Sequence, residues 1–208
     1  MKILIDALWK LALLSLAGVA AAQNTAPDVL VRQTTDEIVA QIRKDKELTS
    51  NPSKLLELVD AKVLPHFNFT RMTMLAVGRP WRDATPGQRE QLVKEFRTLL
   101  VRTYSTALEQ YSNQTIEVKP TAAKPGDAET TVRTQINQPG GQPIAMDYRM
   151  ESTPQGWKVF DVSIEGVSIV TTYRSSFGTE VSKSGIDGLI KSIAAQNTRL
   201  EQRDAGKK

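Results

Sequence analysis

The chain has 208 residues, sets 27 Lys and Arg against 23 Asp and Glu for a formal net charge of +4, and contains no cysteine. So small a surplus is far from the electrostatic footprint of a nucleic-acid binder. The lack of cysteine excludes a disulfide framework, thiol chemistry and a cysteine-linked lipid anchor.

The first residues, MKILIDALWKLALLSLAGVAAAQ, place Lys2 and Lys10 ahead of a short apolar run from Leu11 to Val19, closed by Ala20-Ala21-Ala22. This is the order of an export leader, so residues 1–22 are expected to be cleaved and residues 23–208 to form one soluble domain, periplasmic or secreted. The run is shorter than the about 20 apolar residues of a membrane span.

Helices come first. Pro27-Asp28 opens a helical pattern to about Leu48, with Val31, Ile38 and Ile42 at helical spacing. Asn51-Pro52-Ser53 interrupts it. Ser53 is the expected N-cap of a helix over 54–64, striped by Leu55, Leu58, Val59 and Val63 and stopped by Pro65. A short helix is expected within 66–77, bearing Phe67, Phe69, Met72, Met74 and Leu75. After a turn at Gly78 and Pro80, Thr85, Pro86 and Gln88 form a capping box with proline at the first helical position. The helix they open runs to about Tyr111, with Leu92, Phe96, Leu99, Leu100, Tyr104, Ala107, Leu108 and Tyr111 along one side.

From Thr115 the period changes from 3.6 to 2. Ile116 and Val118 alternate with polar residues, and Lys124-Pro125-Gly126-Asp127 makes a turn. A strand over 130–137 aligns Val132, Thr134 and Ile136. A strand over 143–151 aligns Ile144, Met146, Tyr148 and Met150. The last strand, expected over 156–174, is apolar on both parities: Trp157 and Val159 on one, Phe160, Val162 and Ile164 on the other. It carries Gly166 in mid-run, a position expected to bulge or bend. A tail helix is expected over 182–200, where Gly185-Ile186-Asp187-Gly188 precedes Leu189, Ile190 and Ile193. The sum is an α+β fold: a curved antiparallel sheet of about four strands, covered on one side by several helices that face it across a cone and can enclose an apolar cavity.

Catalytic patterns are few. The one histidine, His66, has no ligand spacing around it. Gly166-Val167-Ser168 fails as a nucleophile elbow at Val170. Asp147 and Asp161 lie within strands, so a carboxylate acting as general base over a small substrate in such a cone stands as the alternative function.

Several segments resemble the MlaC family of periplasmic phospholipid-binding proteins, also called the toluene-tolerance auxiliary family. They are the Pro65-x-Phe67-x-Phe69 stretch, Leu75-Ala76-Val77-Gly78-Arg79-Pro80-Trp81, Ala84-Thr85 with Gln88-Arg89, and Thr103-Tyr104. The longest is Gly156-Trp157-Lys158-Val159-Phe160-Asp161-Val162 with Ile164-Glu165-Gly166-Val167-Ser168, followed by Tyr173-Arg174 and 186–190. The resemblance implies an NTF2-like cone and no catalysis, cofactor or metal. It implies a monomeric carrier that holds a glycerophospholipid by its acyl chains and shuttles it between an outer-membrane lipoprotein–porin complex and an inner-membrane ABC transporter with a hexameric lipid-binding subunit, maintaining outer-membrane lipid asymmetry. Nucleic acid is not an expected partner. On that reading the acyl chains meet Leu75, Val77, Phe96, Leu99, Leu100 and Tyr104 from the helices. From the strands they meet Val132, Ile136, Met146, Tyr148, Met150, Phe160, Val162, Ile164, Val167 and Ile169. Arg79, Arg82 and Arg174 are the candidates for the head group.

Overall fold

The computed structural model describes residues 25–45, 47–109, 114–124 and 126–205. The expected leader lies outside the described residues, as do Tyr111 and the side chains of Ala107 and Leu108.

Helix α1 (Pro27–Lys44) opens with proline, has Asp28 in its first turn, and ends on Arg43 and Lys44, each charge opposite to the nearby pole of the helix dipole. Val31, Ile38 and Ile42 form its buried face. It does not continue to Leu48. Asp45 is extended, and its carboxylate accepts from the Glu47 N–H at 2.9 Å, opening a separate turn, α2 (Glu47–Ser50). Helix α3 (Pro52–Lys62) is capped by Asn51, whose carboxamide oxygen accepts from the N–H groups of Ser53 and Lys54 at 3.2 and 3.3 Å. The expected cap at Ser53 is therefore corrected: proline prefers the first helical position, which moves the cap one residue ahead of it.

A 3-10 turn (Leu64–His66) delivers Phe67 to the edge of the sheet beside Val159. Asn68 then caps α4 (Phe69–Val77), accepting from the Arg71 N–H at 3.0 Å. Gly78 ends α4 at φ 72°, and a second 3-10 turn (Arg79–Arg82) follows. Helix α5 (Pro86–Glu109) opens on the expected capping box: the Thr85 N–H donates to Gln88 Oε1 at 2.9 Å, and the Gln88 N–H donates to Thr85 Oγ1 at 3.2 Å.

Five antiparallel strands follow as a meander in chain order: β1 (Thr115–Val118), β2 (Glu129–Asn137), β3 (Ile144–Thr153), β4 (Gly156–Ile164) and β5 (Val167–Ser168). The long terminal strand expected over 156–174 is cut short. β4 ends at Ile164, and Glu165 and Gly166, at φ 50° and 77°, make a two-residue hairpin turn of the kind that needs positive φ at both positions. Gly166 is therefore a turn residue, not a bulge.

The bulge lies elsewhere and explains the two parities. Arg149 pairs with Asp161, but Met150 pairs with Val159, so Phe160 is an extra residue opposite the Arg149–Met150 step. The face is thereby transferred. Trp157, Val159, Val162 and Ile164 stand opposite Ser152, Met150, Tyr148 and Met146, which alternate without interruption on β3. All four share one face of the sheet. The other face carries Glu129, Arg133, Asp147, Arg149 and Glu151, so the sheet is one-sided after all. Phe160 itself is 1 % exposed, with the Arg71 and Arg149 guanidiniums 3.7 and 4.8 Å from its ring centre.

Helix α6 (Ile169–Ala205) is broken at Gly185 (φ 70°, ψ −175°). Its first arm lays Tyr173 and Phe177 against Phe96 of α5, at 5.0 and 5.2 Å between ring centres. In its second arm Asp187 meets Gln88, Asn197 meets Glu95, and Glu201 meets Arg102. A straight helix of 37 residues would extend about 55 Å. The chain instead passes α5, reverses at Gly185 and returns beside it. The expected tail helix matches the second arm; the first arm replaces the end of the expected strand. The main core joins this hairpin, α4 and α5 to the inner face of the sheet, and Ile38, Ile42, Leu48, Leu55 and Leu58 form a smaller core among α1, α2 and α3.

Candidate functional site

The inner face of the sheet is graded. Cross-strand pairing aligns it in rows: Thr130–Met150–Val159, Val132–Tyr148–Val162, Val118–Thr134–Met146–Ile164–Val167, and Ile116–Ile136–Ile144. In the first two, Val132 and Met150 are 0 % exposed and Val159 and Val162 are buried, with Thr130 and Tyr148 half-buried beside them. In the last two, Val118 and Thr134 stay buried, but Ile116, Ile136, Ile144, Met146 and Ile164 are only half-buried, and Val167 is 62 % exposed. The apolar face thus runs from a packed interior to an accessible edge where β2 ends, β3 starts and β4 turns.

This grading divides the residues expected to meet acyl chains. Phe96 and Leu99 join Val132 and Met150 at 0 % exposure, leaving no water-sized space beside them, and Val77, Leu100, Val162 and Ile169 are buried. The interior is thus packed by side chains at these positions, where an open cavity was expected. Phe160, beneath Arg71 and Arg149, is turned to the charged side of the sheet by the bulge. Ile136, Met146, Tyr148, Ile164 and Leu75 retain accessible surface, as does Tyr104 on α5. Val167 projects from the β4–β5 hairpin instead of lining the interior, because the chain turns at Glu165-Gly166. Two cavities, of about 310 Å³ beside Lys119–Arg133 and about 420 Å³ between α3 and α5, are lined by none of these residues.

Four contributors were not among the residues expected to meet acyl chains. Ile116 and Ile144 complete the accessible row and were legible in the period-2 pattern. Tyr173 and Phe177 lie in the segment read as strand or left unassigned, although Val170, Tyr173, Phe177 and Val181 have helical spacing.

The polar groups within the apolar region are matched to it. Thr134, 3 % exposed, donates its hydroxyl to the Met146 carbonyl at 2.6 Å, and Tyr148 points its hydroxyl at the Met146 sulfur, 3.0 Å away. Burial pushes the Tyr148 phenol up to about 12, with Thr134 opposing slightly through a hydrogen bond. Burial likewise raises Tyr173. These are neutral groups that stay neutral, suited to an apolar guest.

The two carboxylates of the enzymatic alternative are placed otherwise. Asp147 is on the charged outer face, opposite Arg133. Asp161 is 2 % exposed and holds the start of α6: it accepts from the Ser168 hydroxyl at 2.7 Å and the Val170 N–H at 3.2 Å. Ser168 in turn accepts from the Thr171 N–H at 3.0 Å. Asp161 also ends a charged chain across the outer face, through Arg149, Glu129, Arg71 and Glu151 to Asn68. His66 is half-buried, and burial, reinforced by Lys158, lowers its pKa. Among the described residues no three His, Cys, Asp or Glu side chains converge as a metal site, and no helix is long and apolar enough to cross a membrane. The three arginines expected at a head group are all exposed; Arg174 lies against Gly78, beside the Arg79–Arg82 turn.

Comparison with known proteins bears on the same region. The family profile described as "MlaC protein" matches residues 32–195. A Haemophilus influenzae protein named "Intermembrane phospholipid transport system binding protein MlaC" is 28 % identical over 174 residues, covering 82 % of this chain and 81 % of its own. The Pseudomonas putida "Toluene tolerance protein ttg2D" is 27 % identical over 186 residues, covering 88 % of this chain and 85 % of its own. A solved structure of a phospholipid-binding protein from Ralstonia solanacearum, in complex with a phospholipid, superposes with a TM-score of 0.79 at 38 % identity, covering 85 % of this chain and 99 % of its own.

Proposed function

Because this chain belongs to the MlaC family, we propose that it is a soluble periplasmic phospholipid carrier rather than an enzyme. The observation that carries the reading is the phospholipid held by the Ralstonia solanacearum protein, 38 % identical over most of this chain. Acyl chains enter over the accessible row Ile136, Ile144, Met146 and Ile164, and part the packed layer between the sheet and the α5–α6 helices. The placement of Asp147 and Asp161 outside that layer speaks against a carboxylate acting there as a base. The first 22 residues serve as the export leader, and the remainder works as one monomeric domain. The carrier delivers to, and collects from, an outer-membrane lipoprotein–porin complex and an inner-membrane ABC transporter with a hexameric lipid-binding subunit.

The energetics suit a shuttle. Burying about 30 methylenes at about 0.8 kcal/mol each amounts to more than about 20 kcal/mol relative to water, beyond the practical ceiling of non-covalent affinity. A lipid taken from a bilayer or a partner's groove leaves one apolar medium for another, so the net transfer is small and reversible. The packed interior keeps the empty carrier from exposing the same surface.

The test is solvent extraction of the protein purified after export from a bacterial host, followed by mass spectrometry. Near-stoichiometric phospholipid is expected. Met146→Glu, at a half-buried position, is expected to lose most of it with an unchanged circular dichroism spectrum, whereas Arg133→Glu on the outer face keeps it. No lipid in the parent protein counts against the carrier; full lipid in Met146→Glu counts against this entry route.

A further inference from the structure

The connection between α4 and α5 gathers exposed cations. Residues 78–89 carry Arg79, Arg82 and Arg89 against the single acid Asp83. Arg174 joins them from the first arm of α6: a β-carbon added to Gly78 would lie 3.4 Å from its Nε. Arg89 fixes the segment from within. It donates from Nε to the Trp81 carbonyl at 3.1 Å and from Nη2 to the Arg82 carbonyl at 3.0 Å, with its guanidinium 5.5 Å from the Trp81 ring centre. Arg79, Arg82 and Arg174 are exposed, and none forms an ion pair among the described residues.

Two apolar groups share this corner. Met74, one turn before Gly78, is 39 % exposed, and Trp81 is half-buried. Unpaired cations alone would suit an acidic protein equally well. Cations beside an exposed methionine and a tryptophan are the mixture that settles at a bilayer interface.

We propose that Arg79, Arg82 and Arg174 form a docking surface for bilayers with anionic phospholipid head groups. The surface is rigid and weakly attractive, so it brings the carrier to a membrane without holding it there. The inference goes beyond the cargo reading and stands without it.

The experiment is cosedimentation of the exported protein with vesicles of mixed phosphatidylglycerol and phosphatidylcholine, and with vesicles of phosphatidylcholine alone. Binding is expected to the anionic vesicles only, and to weaken steeply as salt shortens the reach of surface charge. Each of Arg79→Gln, Arg82→Gln and Arg174→Gln should weaken it about fivefold, and the triple variant about a hundredfold. Should Arg174→Gln disturb the packing on Gly78, the Arg79→Gln/Arg82→Gln double variant, expected about 25-fold weaker, carries the test. Equal binding to neutral vesicles, no binding to anionic ones, or undiminished binding by the double and triple variants would overturn the proposal.

Discussion

Asp161→Asn tests whether this carboxylate is a structural joint or an idle catalytic group. In the parent protein it is 2 % exposed, accepts from the Ser168 hydroxyl and the Val170 N–H, and adds a negative charge to the positive end of α6. Asparagine keeps one oxygen for the Val170 N–H but presents an NH₂ where the Ser168 hydroxyl donates, and removes the charge. One charge-assisted hydrogen bond and part of the dipole term are lost, about 2 kcal/mol together. Asp161→Ala leaves two donors unpartnered in a buried setting, about 4 kcal/mol. The ion pair with Arg149, at 3.9 Å and half in solvent, adds little to either figure. For a chain of this size 1 kcal/mol moves Tm by about 2–4 °C. Thermal unfolding should therefore drop by about 4–8 °C for asparagine and about 8–16 °C for alanine, measured after lipid removal so that cargo does not mask the effect. Ser168→Ala should cost about 1 kcal/mol as the lost cap of α6. It should also be non-additive with Asp161→Asn, since the two side chains share a bond. An Asp161→Asn protein that melts within about 1 °C of the parent would refute the joint and reopen the catalytic reading.

Two further outcomes follow from other parts of the fold. His66 is the chain's one histidine, so untagged protein should show a single imidazole titration by NMR, below the ordinary 6.5 because of burial and the Lys158 ammonium, which bonds the neighbouring Pro65 carbonyl at 2.6 Å. The folded state prefers the neutral ring, so its stabilising contribution is present above pH 6.5 and is lost as pH falls through the folded pKa; His66→Gln should lose less stability over that window, and a titration at or above 6.5 would contradict the assignment. The glycines of α6 should respond with opposite signs in denaturant melts. Gly178 is helical with open space around its α-carbon, so alanine should stabilise by up to about 1 kcal/mol. Gly185 occupies a region nearly closed to other residues, so alanine there should cost about 1–3 kcal/mol, and a neutral Gly185→Ala would mean that the hairpin does not need this break.

What was legible in the sequence was what neighbours in the chain decide. The capping box at Thr85 and Gln88 lies within four residues, and the meander follows from period-2 runs joined by short polar turns. The first arm of α6 was obscured because Ile169, Val170, Thr171 and Thr172 favour strands by propensity, while the groups that start a helix there, Ser168 and Asp161, act together only once β4 and β5 are folded. The distinction between packed interior and accessible row was also invisible. Val132 and Ile136 belong to the same alternation, and only the helices above the sheet make one buried and the other half-exposed.

The bulge at Phe160 shows why the remainder is tertiary. Phe160 is not at positive φ, and the glycine that drew attention, Gly166, serves a turn. What sets the bulge is the partner strand, whose Met150 takes Val159 and leaves Phe160 unpaired. The extra residue has two consequences. It keeps Trp157, Val159, Val162 and Ile164 on one continuous apolar face, and it leaves Asp161 on the opposite side, bound to the first turn of α6. The same irregularity therefore builds the apolar wall of the site and anchors the helix that covers it. Changes at this joint should accordingly alter how readily the helices part from the sheet, even though neither Phe160 nor Asp161 lies on the accessible row.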